Sequence, residues 1–335
     1  MNIAIMMSVW CQNLGDELIL KNEVSLLKQK YSDNTNFRVF TYDLNNIFFS
    51  DLKVKYEEYF PIWIKKPKNI IRNLKNYYTF VKTIKWADKV VIWWGGIMFD
   101  NESWNYTNPL KLWLFRTTFI KIFKKDIIFY GVSIDVKYEE NLGKIKRIFS
   151  SWNEVYVRDQ ASFNLLKDLW ISSQIILDPV FHDNKEVWLK NYEKNYLLKK
   201  LEAREFLLND IIDIDFNWKT VWLALRRGYI EKGIVEKEKI LINNIIDFIL
   251  KNWWKIILIP HSFHDIDSFA NDYEFLNQFV KSWVTIASSI QESYLVYKQK
   301  QIDFCLSMRL HSMILSQVYG INFIALKYSK KGDLM

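Results

Sequence analysis

The sequence is poor in cysteine and has no long apolar run. Its two cysteines, Cys11 and Cys305, lie far apart among 335 residues, which argues against a disulfide framework and indicates a reducing compartment. The N-terminus, MNIAIMMSVW, has no basic segment before its apolar residues, so we expect no secretory signal peptide. No apolar run approaches the roughly 20 residues that a membrane-spanning helix needs. We therefore expect a cytoplasmic protein.

Glycine is scarce, with 9 residues against 15 tryptophans. Average glycine usage is about 7%, and glycine and tryptophan together make up 24 of the 335 residues, about the same share. Many of the tryptophans stand where a turn would favour glycine. These are Trp10, Trp93, Trp94, Trp170, Trp218, Trp253, Trp254 and Trp283, and Trp222 lies inside a predicted strand.

Two explanations of the tryptophans are open. One hypothesis is that many of them are glycine in the source cell, because UGA is read as tryptophan in some genetic codes and as glycine in others. The alternative is a protein naturally rich in tryptophan, and Trp63 and Trp113 fit that alternative. The difference matters because tryptophan is strained at a positive φ, and an indole in a ligand-approaching loop would block the ligand.

The net charge of +8 favours an anionic partner, such as a phosphorylated substrate or a membrane surface. The lysines are spread along the chain without a dense basic block, so nucleic-acid binding is not expected. A proteome rich in lysine would explain the charge equally well.

Short β-branched runs alternate with amphipathic segments of helical length. The predicted strands are 2–9, 37–43, 89–95, 126–133, 154–159, 220–226, 255–261, 284–287, 302–307 and 322–326. The predicted helices are 13–31, 109–125, 140–151, 160–170, 236–251, 267–280, 290–300 and 309–318. This alternation predicts an α/β fold with parallel sheets covered on both faces. At about 150 residues per domain, we expect two doubly wound domains, 1–177 and 218–335, facing a cleft and joined by a helical connector, 178–217.

Ligands of open parallel sheets bind beyond the carboxyl ends of the strands. After the first strand, Asn13 and Asp16 are a helix cap and a favourable charge, or they belong with Gly15 to a loop that approaches a ligand. Gly95 and Gly96 after the third strand form either a tight turn or a close backbone approach to an anion. They do not complete a dinucleotide-binding fingerprint.

Cationic and titratable side chains follow several further strands. Arg158 is either an anion ligand or part of a surface salt bridge, while Arg226, His261 and Arg309 follow later strands and His311 begins a helix. Together they predict a pocket for an anion with more than one acidic group, because arginine offers a fixed fork and a helix N-terminus adds N–H donors. Histidine can transfer protons near neutral pH, although a buried core histidine is the alternative at 311.

Other catalytic motifs are missing from the sequence. His261 and His264 have H-x-x-H spacing, but no carboxylate or cysteine completes a metal-binding motif, so we expect no metal. Neither G-x-S-x-G nor a Walker A sequence occurs, and we expect no cofactor.

The blocks NLGDE, the glycine pair, VRDQAS, LDPVF, LALR, IPH and SMRLHSMILSQVYGINFIAL resemble the polysaccharide pyruvyl transferase family from residue 3 to about 330. The resemblance implies two Rossmann-like domains similar to GT-B glycosyltransferases. It implies transfer of pyruvate from phosphoenolpyruvate to a sugar, commonly as a cyclic ketal, in envelope or exopolysaccharide synthesis. Because such acceptors are often lipid-linked, peripheral contact with the inner face of the membrane is a further prediction.

The resemblance and the charge pattern together suggest roles for individual residues. We expect Arg309 to bind the anionic groups of the donor, His311 to act as acid or base, and His261 to be a second acid/base candidate. The expected substrate-binding residues are Arg158, Arg226, Asn13, Gly15, Asp16, Gly95 and Gly96. A GT-B glycosyltransferase using a nucleotide sugar and a non-catalytic glycan-binding relative remain alternatives.

Overall fold

A computed structural model of the chain divides into two compact units. The residues it describes are 1–9, 12–41, 44, 48–60, 68–93, 98–100, 109–150, 154–186, 189, 194–202, 220–227, 235–251, 255–264, 271–299 and 303–327. The first unit comprises Met1–Cys11 and Ile19–Pro179, and the second comprises Gln12–Leu18 and Val180–Met335. Residues 12–18 therefore make most of their contacts with the C-terminal half of the chain.

The first unit is built on a parallel sheet whose central strands are fully buried. Its strands are β1 (Asn2–Val9), β2 (Asn36–Thr41), β3 (Lys55–Glu58), β4 (Lys89–Trp93), β5 (Met98–Phe99), β6 (Asp126–Val132), β7 (Ile134–Asp135), β8 (Glu154–Val157) and β9 (Gln174–Ile175). Its helices are α1 (Leu14–Lys30, of which Leu14–Leu18 belong to the second unit), α2 (Lys68–Trp86), α3 (Pro109–Ile122), α4 (Leu142–Phe149) and α5 (Gln160–Asp168). The strand order is β3-β2-β1-β4-β6-β8-β9, and β5 pairs with β7 separately. Nearly continuous apolar strands suit a parallel sheet buried on both faces.

The second unit has the same kind of architecture. Its strands are β10 (Leu197–Glu202), β11 (Thr220–Ala224), β12 (Lys255–Leu258), β13 (Val284–Ile286), β14 (Phe304–Ser307) and β15 (Asn322–Lys327). Its helices are α6 (Val235–Lys251), α7 (Asp272–Leu276), α8 (Ile290–Lys298) and α9 (Leu310–Tyr319). The strands run parallel in the order β10-β15-β14-β11-β12-β13, so β14, β11 and β12 lie side by side in its interior. The predicted α/β class with parallel sheets is confirmed.

Two predicted elements differ from the structure. The predicted helical connector 178–217 contains an edge strand, β10, which pairs with β15, so the prediction is wrong there. Its sequence, LLKKLE, has the charge of an exposed helix, but lysine is equally suited to the open edge of a sheet. The predicted helix 267–280 is reduced to α7 and a 3-10 turn, Asn277–Phe279, while 265–270 lie outside the described residues.

The tryptophans fall into two environments. Trp170 and Trp283 have φ values of 61° and 65°, in the left-handed region, and their side chains are 93% and 72% exposed. Trp93 and Trp222 are buried, and their indole Nε1 atoms have no hydrogen-bond partner among the described residues. Trp113, by contrast, is buried in α3 with the Arg116 guanidinium over its ring.

Trp170 ends α5 in a Schellman motif. Its N–H donates to the Lys167 carbonyl at 3.0 Å, and the N–H of Ile171 donates to the Leu166 carbonyl at 2.9 Å. The left-handed position of this motif usually holds glycine, because a side chain is strained there. The geometry supports the hypothesis that this residue is glycine in the source cell. The other tryptophans named as turn residues, Trp10, Trp94, Trp218, Trp253 and Trp254, lie outside the described residues.

Asp183 ties two helices of the second unit together. The hydroxyls of Tyr294 in α8 and Tyr319 in α9 each donate to its Oδ2 atom at 2.8 Å. Asp183 follows the 3-10 turn Pro179–His182, so this turn is fixed to both helices. None of the described helices is long and apolar enough to cross a membrane.

Candidate functional site

The carboxyl ends of three neighbouring strands in the second unit bring several predicted site residues to one edge of the sheet. Arg226 follows β11, His261 follows β12, and Arg309 follows β14. Backbone hydrogen bonds keep the three strand ends in register: Ile259 N–H donates to Leu223 and Met308 N–H to Ala224, both at 3.0 Å. This arrangement follows from the parallel order of the sheet, in which all strands end at the same edge.

The segment that leads into α1 joins the same edge. Leu14 N–H donates to the His261 carbonyl at 2.9 Å, and Asn13 forms an antiparallel bridge with Ser262. The Asn13 Oδ1 atom accepts a hydrogen bond from the N–H of Gly15 at 3.0 Å. Asn13 therefore caps the N-terminus of α1, as the sequence predicted. The N-terminal turn of α1, with the buried Asp16, thus lies beside the end of β12.

Gly15 and His311 are in direct contact. A Cβ atom built on Gly15 would stand 1.9 Å from the His311 Nδ1 atom, a distance at which no side chain fits. The imidazole therefore packs on the first turn of α1 while its backbone belongs to the first turn of α9. His311 is only partly buried, so the alternative of a fully buried core histidine does not describe it.

Asp272 holds the Arg309 side chain in place. The Arg309 Nε atom donates to Asp272 Oδ2 at 2.8 Å, and its Nη2 atom pairs with Oδ1. The same Oδ2 atom accepts the backbone N–H of His261 at 3.2 Å, and Asp272 is itself buried. The pairing fixes the plane of the guanidinium at the N-terminus of α9, where Arg309 is the N-cap residue and its side chain makes no capping hydrogen bond. Both features favour an anion.

His261 belongs to a buried hydrogen-bonded chain. Its Nε2 atom lies 2.9 Å from the Tyr297 hydroxyl, which donates to the Ser312 hydroxyl at 2.5 Å. Burial lowers the pKa of His261 well below its ordinary value, and the neighbouring Arg309 and His311 act in the same direction. His261 is therefore neutral at neutral pH, which fits a base or a hydrogen-bonding role rather than an acid.

Asp272, Tyr297 and Ser312 were not predicted from the sequence. Each becomes part of the site only through partners 11 to 37 residues away along the chain. The nearest sequence feature that could have drawn attention to Asp272 is Asn271, the N-cap residue of α7 directly before it. Among the described residues, no three His, Cys, Asp or Glu side chains cluster in a way that could hold a metal ion.

The other predicted site residues have different surroundings. Arg226 is partly exposed, and its Nε atom donates to the Arg227 carbonyl at 3.3 Å. Arg158 lies in the first unit, where it donates to Asp178 Oδ2 at 3.0 Å and to the Ser133 hydroxyl at 2.9 Å. Only 4% of the Arg158 side chain is exposed, so the alternative of a surface salt bridge is wrong: the pair is buried. Gly95 and Gly96 lie outside the described residues.

Glu17, in the first turn of α1, gives the stability a pH dependence. Burial raises the pKa of its carboxyl from 4.5 to about 8, although a hydrogen bond from the Gln12 backbone acts in the opposite direction. Below pH 4.5 the folded and unfolded states are both protonated. As the pH rises from 4.5 to 8, the unfolded chain loses this proton first, so the contribution of Glu17 to stability falls.

In the unaltered protein, Glu17 should lower the free energy of unfolding by up to about 1.4 kcal/mol for each pH unit between pH 4.5 and 8. We expect this part of the pH dependence to be absent from the Glu17→Gln variant. Urea unfolding at pH 5.5 and 7.5 measures the slope. Glu23, a second buried carboxyl with a raised pKa, is present in both proteins and contributes equally to each. An unchanged slope in the variant would show that Glu17 is ionised in the folded protein.

Solved structures similar to this chain share its fold. The UDP-GlcNAc 2-epimerase of Methanocaldococcus jannaschii, in complex with UDP-GlcNAc and UDP, is 11% identical with a TM-score of 0.53, over 100% of this chain and 91% of that one. The Neisseria meningitidis UDP-GlcNAc 2-epimerase, bound to UDP-GlcNAc, is 13% identical with a TM-score of 0.54, over 99% and 84%. Anabaena HepE, in complex with UDP and glucose, is 12% identical with a TM-score of 0.51, over 100% and 83%. At these identities the likeness shows the fold alone, which is Rossmann-like and of the GT-B type.

No curated protein sequence matches the chain significantly. A profile of the polysaccharide pyruvyl transferase family, however, matches residues 13–330, from the cap of α1 to beyond β15. The match spans the site residues of the second unit, including Asn13, Arg309 and His311. The chain is thus a transferase and belongs to the polysaccharide pyruvyl transferase family.

Proposed function

We propose that the protein moves pyruvate from phosphoenolpyruvate to a sugar of a cell-envelope or extracellular polysaccharide, forming a ketal. The observation that carries the proposal is the placement of Arg309 and His311 together at the N-terminus of α9, with the His311 ring packed against Gly15. Phosphoenolpyruvate has a phosphate and a carboxylate, and an arginine at a helix N-terminus suits such a donor.

The proposed reaction has two additions at the same carbon. A sugar hydroxyl adds to C2 of phosphoenolpyruvate while C3 takes a proton, so that the enol becomes a methyl group. The C2–O bond to phosphate then breaks, and the phosphate leaves with the bonding electrons. A second sugar hydroxyl bonds to C2 and gives up its proton, which closes the ketal. The protein must hold the donor, deliver one proton to C3 and accept those of the hydroxyls.

Each role has a candidate residue. Arg309, oriented by Asp272, binds an anionic group of the donor, and the first N–H groups of α9 add to this site. His311 is the acid/base group, and neutral His261 is a second candidate for accepting a proton. Arg226 is proposed as a further anion ligand.

Further residues and partners complete the proposed site. Asn13, Gly15 and Asp16 bind substrate at the N-terminus of α1, and Arg158, Gly95 and Gly96 remain substrate-binding candidates. The acceptor is a sugar or a lipid-linked saccharide, and the protein works in the cytoplasm at the inner face of the membrane.

The proposal predicts release of inorganic phosphate from phosphoenolpyruvate only when a suitable sugar acceptor is present. Incubation with a panel of sugars and lipid-linked saccharides, followed by phosphate detection and mass spectrometry of the product, measures this directly. The expected product is heavier than the acceptor by one pyruvate ketal. Failure of every acceptor, together with failure of phosphoenolpyruvate to stabilise the protein against heat, would contradict the proposal.

A second candidate is a glycosyltransferase that uses a nucleotide sugar. The observation that favours it is the presence of UDP or UDP-GlcNAc in the similar epimerase and HepE structures. Thermal protection separates the two: a UDP-sugar that raises the melting temperature, with no effect of phosphoenolpyruvate, would favour glycosyl transfer. If neither donor raises the melting temperature, a non-catalytic glycan-binding relative would be favoured. Genuine tryptophans would strengthen that conclusion, because indoles in a ligand-approaching loop would block the donor.

A further inference from the structure

Helix α2 exposes a row of large apolar side chains that the catalytic proposal does not use. Ile70, Ile71, Leu74, Tyr77 and Tyr78 are between 44% and 75% exposed. Their spacing of i, i+1, i+4, i+7 and i+8 places them along one side of the helix, and we call them the α2 stripe. Such contiguous apolar exposure is unusual on a monomeric protein and marks an interaction surface.

The opposite side of α2 packs against the first unit. The exposure of the stripe is therefore not the result of a poorly packed helix. Asn76 donates from Nδ2 to the Tyr59 carbonyl at 3.1 Å, and the Phe80 ring lies 5.4 Å from that of Phe40. Tyr77 connects the stripe to the neighbouring helix through Phe60 and Phe119, whose ring centroids lie 5.3 and 6.0 Å from its own. Phe115 of α3, 44% exposed, extends the apolar surface.

The charge along α2 is mainly positive, although Arg72 pairs with Glu58 of β3. The sequence from residue 59 to 87 contains no aspartate or glutamate. Helix α2 itself carries five cations: Lys68, Arg72, Lys75, Lys82 and Lys85. Lys75, Lys82 and Lys85 are exposed, and helical spacing places them among or beside the stripe residues. Helix α3 likewise lacks acidic residues.

We propose that the α2 stripe docks on an anionic lipid surface, with the isoleucines, leucine and tyrosines entering the headgroup region and the lysines contacting acidic headgroups. Amphipathic helices that lie in a membrane interface combine these two features. A second copy of the chain is the poorer partner. A two-fold contact would place the same patch against itself and bring Lys75, Lys82 and Lys85 towards their own copies, while the carboxylate of Glu58 is already paired with Arg72. The proposal concerns a surface outside the catalytic site and does not depend on the donor or the acceptor.

Sedimentation with vesicles tests the proposal on the whole 335-residue chain without substrates. We expect the protein to sediment with vesicles of equal parts phosphatidylcholine and phosphatidylglycerol, and much less with pure phosphatidylcholine. The double variant Ile71→Glu/Tyr78→Glu should bind at least about tenfold more weakly. The double variant Lys75→Glu/Lys82→Glu should lose binding by a similar factor or more, and the salt sensitivity of binding should fall with it.

Ile240→Glu is the matched control, because Ile240 is similarly exposed, at 59%, on α6 of the other unit. It should sediment as the unaltered protein does. Circular dichroism melting of all variants checks that they fold. The proposal is overturned if the unaltered protein ignores anionic vesicles, or if both α2 variants bind as well as the control. It is also overturned if light scattering shows a dimer that Ile71→Glu/Tyr78→Glu dissociates while vesicle binding is absent.

Discussion

Replacing Arg309 with methionine is expected to lower kcat/KM for phosphoenolpyruvate by at least about a hundredfold, the usual effect of removing a charged group that stabilises a developing anion. Methionine keeps much of the length of the arginine side chain but cannot bind a phosphate or a carboxylate. Phosphate release under subsaturating donor measures the loss, and thermal protection by phosphoenolpyruvate measures donor binding separately.

The Arg309→Met change on its own also lowers the stability of the protein. Asp272 is buried and pairs with Arg309, so the single change leaves an uncompensated buried charge and lowers stability by about 3–5 kcal/mol. The double variant Arg309→Met/Asp272→Asn removes that charge and keeps an acceptor for the His261 N–H. We expect it to regain stability but not activity. Recovered turnover in the double variant would show that Arg309 only holds the fold together.

Changing Trp170 and Trp283 to glycine is expected to stabilise the protein, by about 1 kcal/mol at each site. Both residues have a left-handed backbone that strains any side chain with a Cβ, and both indoles are largely exposed, so little buried surface is lost. Trp170 lies in the first unit and Trp283 in the second, so each change should raise the unfolding midpoint of its own unit. Urea unfolding of the two single variants measures this.

Trp113→Gly is the control for the tryptophan hypothesis. Trp113 is buried inside α3, and its replacement should lower stability by about 3–5 kcal/mol. Mass spectrometry of protein isolated from its source cell addresses the decoding itself. We expect glycine at 170 and 283 and tryptophan at 113. Tryptic peptides carrying tryptophan at positions 93 and 94 would contradict the hypothesis.

Most of the fold could be predicted because the chain alternates between two strong periodicities. Strands such as KVVIW and FCLS are apolar throughout, which is typical of a parallel sheet covered on both faces. Helix α2 was not predicted. It carries apolar residues on a second, exposed side as well as on its buried face, which obscures the helical period. Strand β10 was misjudged because charged residues suit both an exposed helix and a sheet edge.

The site could be predicted only where it depends on the ends of strands. Arg309, His261 and Arg226 come to one edge because parallel strands end together, and Asn13 caps its helix through a local hydrogen bond. The partners of these residues could not be predicted in the same way. Nothing near Asp272 in the sequence indicates that it pairs with Arg309, and nothing near Arg158 indicates that its guanidinium is buried against Asp178.

Helix α9 is held at both of its ends. Near its start, Ser312 accepts the hydroxyl of Tyr297, and at its last residue Tyr319 donates to Asp183. The helix that carries His311 is therefore unable to slide or rotate without breaking hydrogen bonds at opposite ends. A helix fixed in this way needs little further ordering when a ligand binds at its N-terminus, which lowers the entropic cost of binding.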